Sequence, residues 1–405
     1  MSIPPVPRFV RSGRARQNGS RVLLTMRKAG IRHSGRALRC RACIRPCGQG
    51  ISRICGFTGK DKNMKILVGM SGGLDSTYTA YMLKKQGHDV TGAVLRMSGC
   101  TAVEEAEESA RAVGIELVTL DCEERFREQV ILPFAREYAA GRTPNPCVMC
   151  NRHVKFGVLC DYAEENGFDR VSTGHYADIR TAPDSLRRYI RRAGDLKKDQ
   201  SYVLWQLTQK QLSMLYFPLA EMSKPAIREE ARRLGFRAAE SKESQEICFI
   251  PDHDYAGYIS RLTGKTFAPG AFITPDGKVV GQHRGIIHYT IGQRKGLGLS
   301  MGEPVFVTAI DPAANTVTVA PAGNEYRTYM TVSGLNFQRL SPFSGGLRAS
   351  VRIRYAAQPV PADVLVDAEA GRAQVHFSEP ARAVTPGQSA VFYDGDELLF
   401  GGFIE

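Results

Sequence analysis

The sequence has no run of 18 or more apolar residues, so no transmembrane helix and no membrane partner are expected. The phosphate-binding pattern G-x-x-x-x-G-K-[ST] occurs nowhere, which excludes a nucleotide site of that type. Acidic residues are missing altogether from residues 1–60, which hold fourteen Lys and Arg. The whole chain carries 54 basic and 41 acidic residues, for a net charge of +13. Without that segment the balance from residue 61 onward is 40 against 41, a net charge of −1. The basic excess belongs to one end, and a uniformly basic nucleic-acid binder is excluded. Ten cysteines in 405 residues, with no export signal, do not make a disulfide scaffold. A reducing compartment is expected, where cysteine pairs are more often catalytic or metal-binding.

The basic segment supports three readings. Arg-rich, acid-poor composition is the signature of an organelle-targeting peptide. Cys40, Cys43, Cys47 and Cys55 among arginines would suit a metal- or RNA-binding arm. Met64 directly precedes a good strand, so the first 63 residues can also be sequence upstream of the true start. The expected location is cytoplasmic, and mitochondrial only if residues 1–63 are a genuine transit peptide.

A content of 43% hydrophobic and 23% charged residues excludes a disordered or collagen-like chain, and the length allows two or three domains. From residue 65 the pattern alternates. Strand candidates at 65–70, 90–95, 116–120 and 170–173 are separated by helical stretches from 74, at 102–113 and at 123–140. Such alternation predicts an α/β domain with a doubly wound, mainly parallel sheet, whose ligands bind at the carboxyl ends of the strands. After about residue 260 helical periodicity fades. Gly and Pro become frequent, and short alternating runs appear at 304–310, 316–320, 349–355, 374–377 and 389–393. These predict a small central β domain over 261–328 and a C-terminal β-barrel over 329–405, behind a catalytic domain over 64–260.

Ser71-Gly72-Gly73-Leu74-Asp75-Ser76 stands between the first strand and its helix. Its glycines let backbone approach an anion, N–H groups at the helix start point toward it, and Asp75 is a candidate to help hold Mg²⁺ near phosphates. The stretch resembles the SGGxDS loop of the ATP pyrophosphatases, which cleave ATP between its α- and β-phosphates. Gly69-Met70-Ser71-Gly72-Gly73 also satisfies the G-x-S-x-G nucleophile elbow, but that fold normally places several strands before the elbow. Two further stretches carry cysteines on polar, structured segments. One is Gly141-Arg142-Thr143-Pro144-Asn145-Pro146-Cys147-Val148-Met149-Cys150-Asn151, read as an ordered loop with both cysteines at its far end; the other is the loop at 242–250, with Cys248. Cys122 and Cys160 are expected on buried faces.

With Thr173-Gly174-His175-Tyr176, Lys198-Asp199-Gln200-Ser201-Tyr202, the string 288–298 and Pro386-Gly387-Gln388-Ser389-Ala390-Val391, these stretches resemble the tRNA-specific 2-thiouridylase family from about Lys65 to Ile404. The resemblance implies an adenine nucleotide alpha hydrolase-like fold. It implies thiolation of the anticodon wobble uridine: ATP adenylates the C2 oxygen, and a persulfide sulfur displaces AMP. It places the persulfide on Cys248 and makes Cys150 the second catalytic cysteine. It places ATP at Gly69, Met70, Ser71, Gly72, Gly73, Leu74, Asp75, Ser76, Leu95 and Gly174. It places tRNA near Asn145, Pro146, Cys147, His175, Lys198, Asp199, Gln200, Arg354, Tyr355 and Gln388. An upstream sulfur-carrier protein or cysteine desulfurase is the implied partner, and a monomer is expected.

Many members of that family carry Asp where this chain has Cys147. With Cys147, Cys150 and Cys248 converging, a [4Fe–4S] cluster with one open iron becomes an alternative sulfur carrier. Two further readings are an ATP-dependent amide-forming ligase and a noncatalytic RNA-binding protein. Because the body is near neutral, RNA would have to meet local patches. Candidates are Arg187, Arg188, Arg191 and Arg192; Lys197 and Lys198; Arg228, Arg232 and Arg233; and Arg294 with Lys295.

Overall fold

Three β-branched and leucine residues, Ile66, Leu67 and Val68, are fully buried in β1 (Lys65–Gly69), as a strand covered on both faces requires. The computed structural model describes residues 63–97, 103–241, 247–252 and 254–405. The basic extension with its four cysteines, and residues 242–246 of the second cysteine loop, lie outside the described residues. After β1 come α1 (Leu74–Lys85), β2 (Asp89–Arg96), α2 (Val103–Val113) and β3 (Glu116–Asp121). β4 (Arg170–Ser172) pairs on the other side of β1. The hairpin of β5 (Asp178–Thr181) and β6 (Arg188–Arg191) follows, and β7 (Leu215–Tyr216) completes a parallel sheet of order β3-β2-β1-β4-β7. Strand order reverses between β1 and β4, so a crevice opens at their carboxyl ends.

The stretch expected as one helix over 123–140 is two helices, α3 (Glu123–Phe126) and α4 (Leu132–Ala139), joined by a π-helical turn over Arg127–Ile131. Pro133 has no amide hydrogen to donate at this change of register. A second correction concerns the cysteines of 141–151, which stand on a helix and not on the loop before it. Asn145 caps α5 (Pro146–Met149) by accepting the Cys147 amide at 3.1 Å, and Pro146 takes the first helical position. A π-helical turn over Cys150–Lys155 then leads into α6 (Phe156–Glu165).

Beyond the short helix α7 (Gln209–Met214), α8 (Lys224–Arg233) and α9 (Tyr255–Thr263), the chain is β. β8 (Gly270–Ile273), β9 (Val279–His283), β10 (Val305–Asp311) and β11 (Thr316–Pro321) form the central sheet, in the order β10-β11-β8-β9. Six strands close the barrel: β12 (Tyr326–Phe337), β13 (Gly345–Arg352), β14 (Val360–Asp367), β15 (Arg372–Arg382), β16 (Ser389–Asp394) and β17 (Glu397–Ile404). The closing pairing is β12 with β17. The expected β runs do not include β8, β9, β12, β14 or β17. In β14 the inward positions are Ala362, Val364 and Val366, while Leu365 points outward and is 55% exposed, which blurs the alternation.

Catalytic domain and barrel share polar anchors. β6 continues the barrel sheet beside β17. The fully buried Gln338 donates to the carbonyls of Leu204 and Trp205 and accepts the Ile190 amide. Trp205, also fully buried, donates its indole N–H to Ser389 Oγ at 2.9 Å. Such paired interior groups fix one docking arrangement, because any slip would leave them unsatisfied.

Candidate active site

A cavity of about 250 Å³ occupies the crevice at the switch point. Its lining comes from the end of β1 (Gly69, Met70, Ser71), the start of α1 (Asp75, Ser76), the end of β2 (Leu95) and the segment after β4 (Gly174, His175). Lys155, Leu159 and Gln200 close it. Gly72, Gly73 and Leu74, expected at the nucleotide with these, lie in the same turn but do not line the cavity.

The turn is held from within. Ser76 Oγ accepts the Ser71 amide and donates to the Gly73 carbonyl, which also accepts Thr77 Oγ1. The Gly73 N-cap makes no side-chain capping bond, and first-turn amides of a 12-residue helix are a ready anion site. Gly72 adopts φ +73°, and a Cβ there would meet the backbone carbon of Glu105 at 2.7 Å. Gly174 lies so close to α1 that a Cβ would come within 2.6 Å of the Asp75 backbone.

Asp75 does not stand open as a metal ligand. One oxygen accepts the Tyr176 hydroxyl at 2.8 Å and the other pairs with Lys224 Nζ at 3.0 Å. Lys224, at the start of α8, carries no motif and was not visible as a site residue in the sequence. His175 is buried, its Nδ1 lies 2.7 Å from Thr173 Oγ1, and it packs against Phe156 and Phe217. Desolvation, reinforced by the Lys155 charge, holds it well below the usual histidine range, so it is neutral at pH 7. It lines the cavity at the switch point.

Cys122 and Cys160 are buried, as expected, whereas Cys147 and Cys248 are exposed and Cys150 is half-buried. Cys147, Cys150 and Cys248 lie within electrostatic reach of one another, and Cys147 and Cys150 within reach of Lys155. Desolvation pushes the Cys150 thiol up to about 12; Lys155 opposes that rise, and the two neighbouring thiols add to it. Desolvation, with a smaller push from Cys248, raises Cys147 as well, and Lys155 opposes it. No group of three or more His, Cys, Asp or Glu among the described residues is arranged to hold a metal ion. The three thiols are not brought together as a ligand set in the described structure.

The residues expected beside tRNA divide into two groups. Asp199 is buried with its side chain fully enclosed. It pairs with Arg352 at 3.1 Å and Arg192 at 3.5 Å and accepts from Ser201, so it can only position its neighbours. Gln200 accepts the Tyr176 amide at the cavity wall. Arg354 donates to the Ile291 carbonyl and to Thr385, and Gln388 donates to the Thr143 carbonyl at 2.8 Å. Thr143 also donates its amide to Pro386. Thus the strings 141–146, 288–298 and 386–391 meet at one three-way joint just before the cysteine helix. Tyr355, 43% exposed, and the half-buried Lys198 face outward near Cys147, along with Asn145 and Pro146.

Most of the patch arginines are already engaged within the chain, Arg232 and Arg233 while remaining exposed. Arg187 donates to the Phe337 and Gln338 carbonyls, Arg191 pairs with Asp178 and Glu221, and Arg232 and Arg233 pair with Glu240 and Glu229. Arg294 and Lys295 are exposed and make no ion pair among the described residues.

The fold and cavity define an α/β nucleotide-binding domain of the ATP pyrophosphatase type, carrying two β domains behind it. Family models match all three parts: a tRNA methyl transferase HUP domain over 64–252, a tRNA methyl transferase PRC-barrel domain over 258–321 and an aminomethyltransferase β-barrel domain over 327–404. The chain is 41% identical over 357 residues to the tRNA-specific 2-thiouridylase MnmA of Acetivibrio thermocellus, covering 84% of this chain and 99% of the relative. It is 43% identical over 356 residues to the protein of the same name from Carboxydothermus hydrogenoformans, covering 84% and 97%. The chain belongs to the tRNA-specific 2-thiouridylase family. A solved 4-thiouridine synthetase–RNA complex with bound ATP is similar at a TM-score of 0.34 and 15% identity over 50% of each chain, too distant to add to this.

Proposed function

We propose that this protein uses ATP to replace the C2 oxygen of the wobble uridine in tRNA anticodons with sulfur, as a tRNA-uridine 2-sulfurtransferase. The observation that carries the reading is the juxtaposition of a phosphate-cradling turn and a thiol cluster on either side of Lys155. The family models' descriptions speak of methyl transfer, but a glycine turn at a helix start and grouped thiols suit nucleotide activation and sulfur chemistry.

Uridine O2 attacks the α-phosphorus of MgATP, in which the ion is part of the substrate, and pyrophosphate leaves. The terminal sulfur of a Cys248 persulfide then attacks C2, and AMP departs with the former C2 oxygen. Cys150, as thiolate, attacks Cys248 Sγ, and the S–S bond breaks toward the product sulfur. The Cys150–Cys248 disulfide that remains is reduced by an external thiol. The persulfide is charged by a sulfur-carrier protein or a cysteine desulfurase, in the cytoplasm, where thiol reductants reset the enzyme.

The deciding experiment measures AMP and thiolated nucleoside with and without unmodified tRNA and a sulfur source. Both products, each dependent on tRNA, are expected. AMP without thiolated nucleoside would favour an amide-forming ligase, and no AMP at all would favour a noncatalytic RNA-binding protein. Within this reading Lys198→Ala, outside the cavity lining, weakens tRNA binding about tenfold, the scale of one lost charge-assisted phosphate contact, while ATP affinity is retained. Unchanged tRNA affinity in a filter-binding titration would remove Lys198 from the RNA surface.

A further inference from the structure

Lys155 sits at the end of the π-helical turn over Cys150–Lys155. In an α-helix a residue five positions on points about 140° away; in a π turn, with its i→i+5 hydrogen bonds, it returns to nearly the same face. The turn therefore stacks Lys155 over Cys150, and the same lysine lines the nucleotide cavity. Its ammonium group is half-buried and has no carboxylate or hydrogen-bond partner among the described residues. The one acidic side chain of the cavity lining, Asp75, is already paired with Lys224. An unneutralised ammonium in a polar cavity is an anion site waiting for its anion. Its field reaches His175 on the cavity side and Cys147 and Cys150 on the other, which locates it between the phosphate turn and the thiols.

We propose that Lys155 contacts the α-phosphate of the bound nucleotide, both in ATP and in the adenylated uridine. The inference rests on the function proposed above, because in that reaction only the α-phosphate has to lie at the thiol-facing end of the cavity. The glycine turn, at the far end, takes the β- and γ-phosphates. Lys155 stabilises the charge that grows on the α-phosphate as pyrophosphate leaves, and again as AMP leaves C2. Neither a spacing rule nor the glycine turn includes it. The π register alone brings it to the cavity.

The test uses the full chain and three probes, AMP, ATP and inorganic pyrophosphate, with Lys155→Met and Lys155→Arg. Losing one charge-assisted contact predicts that Lys155→Met weakens AMP and ATP by about 10- to 100-fold in equilibrium binding. Pyrophosphate affinity stays within about twofold, less than the effect of one ordinary hydrogen bond. Lys155→Arg recovers most of the loss, which a purely packing role would not permit. Equal weakening of all three probes would place Lys155 elsewhere in the phosphate site and overturn the assignment, as would unchanged AMP affinity. These arms read nucleotide binding without tRNA or sulfur. An absence of thiolated nucleoside in the wild type would sink the proposed function while leaving them interpretable.

Discussion

Cys248→Ser is expected to abolish tRNA 2-thiolation while tRNA-dependent AMP formation continues. A serine hydroxyl cannot carry a sulfane sulfur, and the loss is that of the nucleophile itself, on the order of 10³-fold or more. Cys248 is exposed, so the change leaves no cavity in a core and the fold is retained. Adenylation precedes sulfur transfer and uses the other side of the site, so AMP and pyrophosphate release should stay within a few-fold of wild type. Mass spectrometry of digested tRNA, alongside AMP quantitation, reads both. Thiolation at wild-type level would show that Cys248 does not carry the sulfur. Cys150→Ser gives the complementary case. Its thiol lies near 12 in the free protein, so it is protonated at neutral pH. It becomes a useful thiolate only once the substrate-bound site stabilises that charge. Its loss should let one turnover start and then stall before the sulfur is released.

Gly174→Ala is expected to weaken ATP binding by about 10- to 100-fold with a much smaller effect on folding. The added methyl would stand 2.6 Å from the Asp75 backbone carbon and 2.8 Å from the Ser76 amide nitrogen, neither of which can rotate away. Overpacking of this kind costs about 1–3 kcal/mol, and here the strain falls on the first turn of α1, whose amides face the phosphates. Gly346→Ala, in barrel strand β13, is the control: a Cβ there meets no atom within 4 Å, so nucleotide affinity should remain close to wild type. Equal affinity in Gly174→Ala and wild type, measured by ATP titration, would mean that the turn yields without loss and that its geometry does not set affinity.

Much of the site could be read along the chain where one local segment carries the chemistry. Ser71 to Ser76 stand between a strand and a helix in any register, so the turn's placement at the carboxyl end of β1 follows from pattern alone. Cys122 and Cys160 could be assigned to buried faces of their elements, and both are buried. The same logic failed for 146–155. Asn145 and Pro146 do signal a helix start, yet nothing in the residues announces a π turn, which depends on how the following segment is anchored. Asn151 Nδ2 bonds the Val203 carbonyl and Gln211 Nε2 bonds the Arg152 carbonyl, both more than fifty residues away. Lys224 is invisible for the same reason: its only distinction is the Asp75 carboxylate across 149 residues.

The positive charge marks the same limit from the other side. Composition alone shows that the basic excess belongs to residues 1–60 and that the body is near neutral. It cannot show which body arginines are available to RNA, because that depends on partners distant in the chain. Arg187 and Arg191 read as parts of a basic cluster, but each is held by a carbonyl or carboxylate of the same chain. The sequence by itself determined the class of chemistry, the phosphate turn and the identity of the thiols, since these reside in contiguous residues. Only the tertiary structure decided that the turn and Lys155 line one crevice, with the Cys147 and Cys150 thiols within reach of the lysine's charge. The reversal of strand order between β1 and β4 makes that crevice, and long-range hydrogen bonds, not local propensity, set the register of the helix beside it.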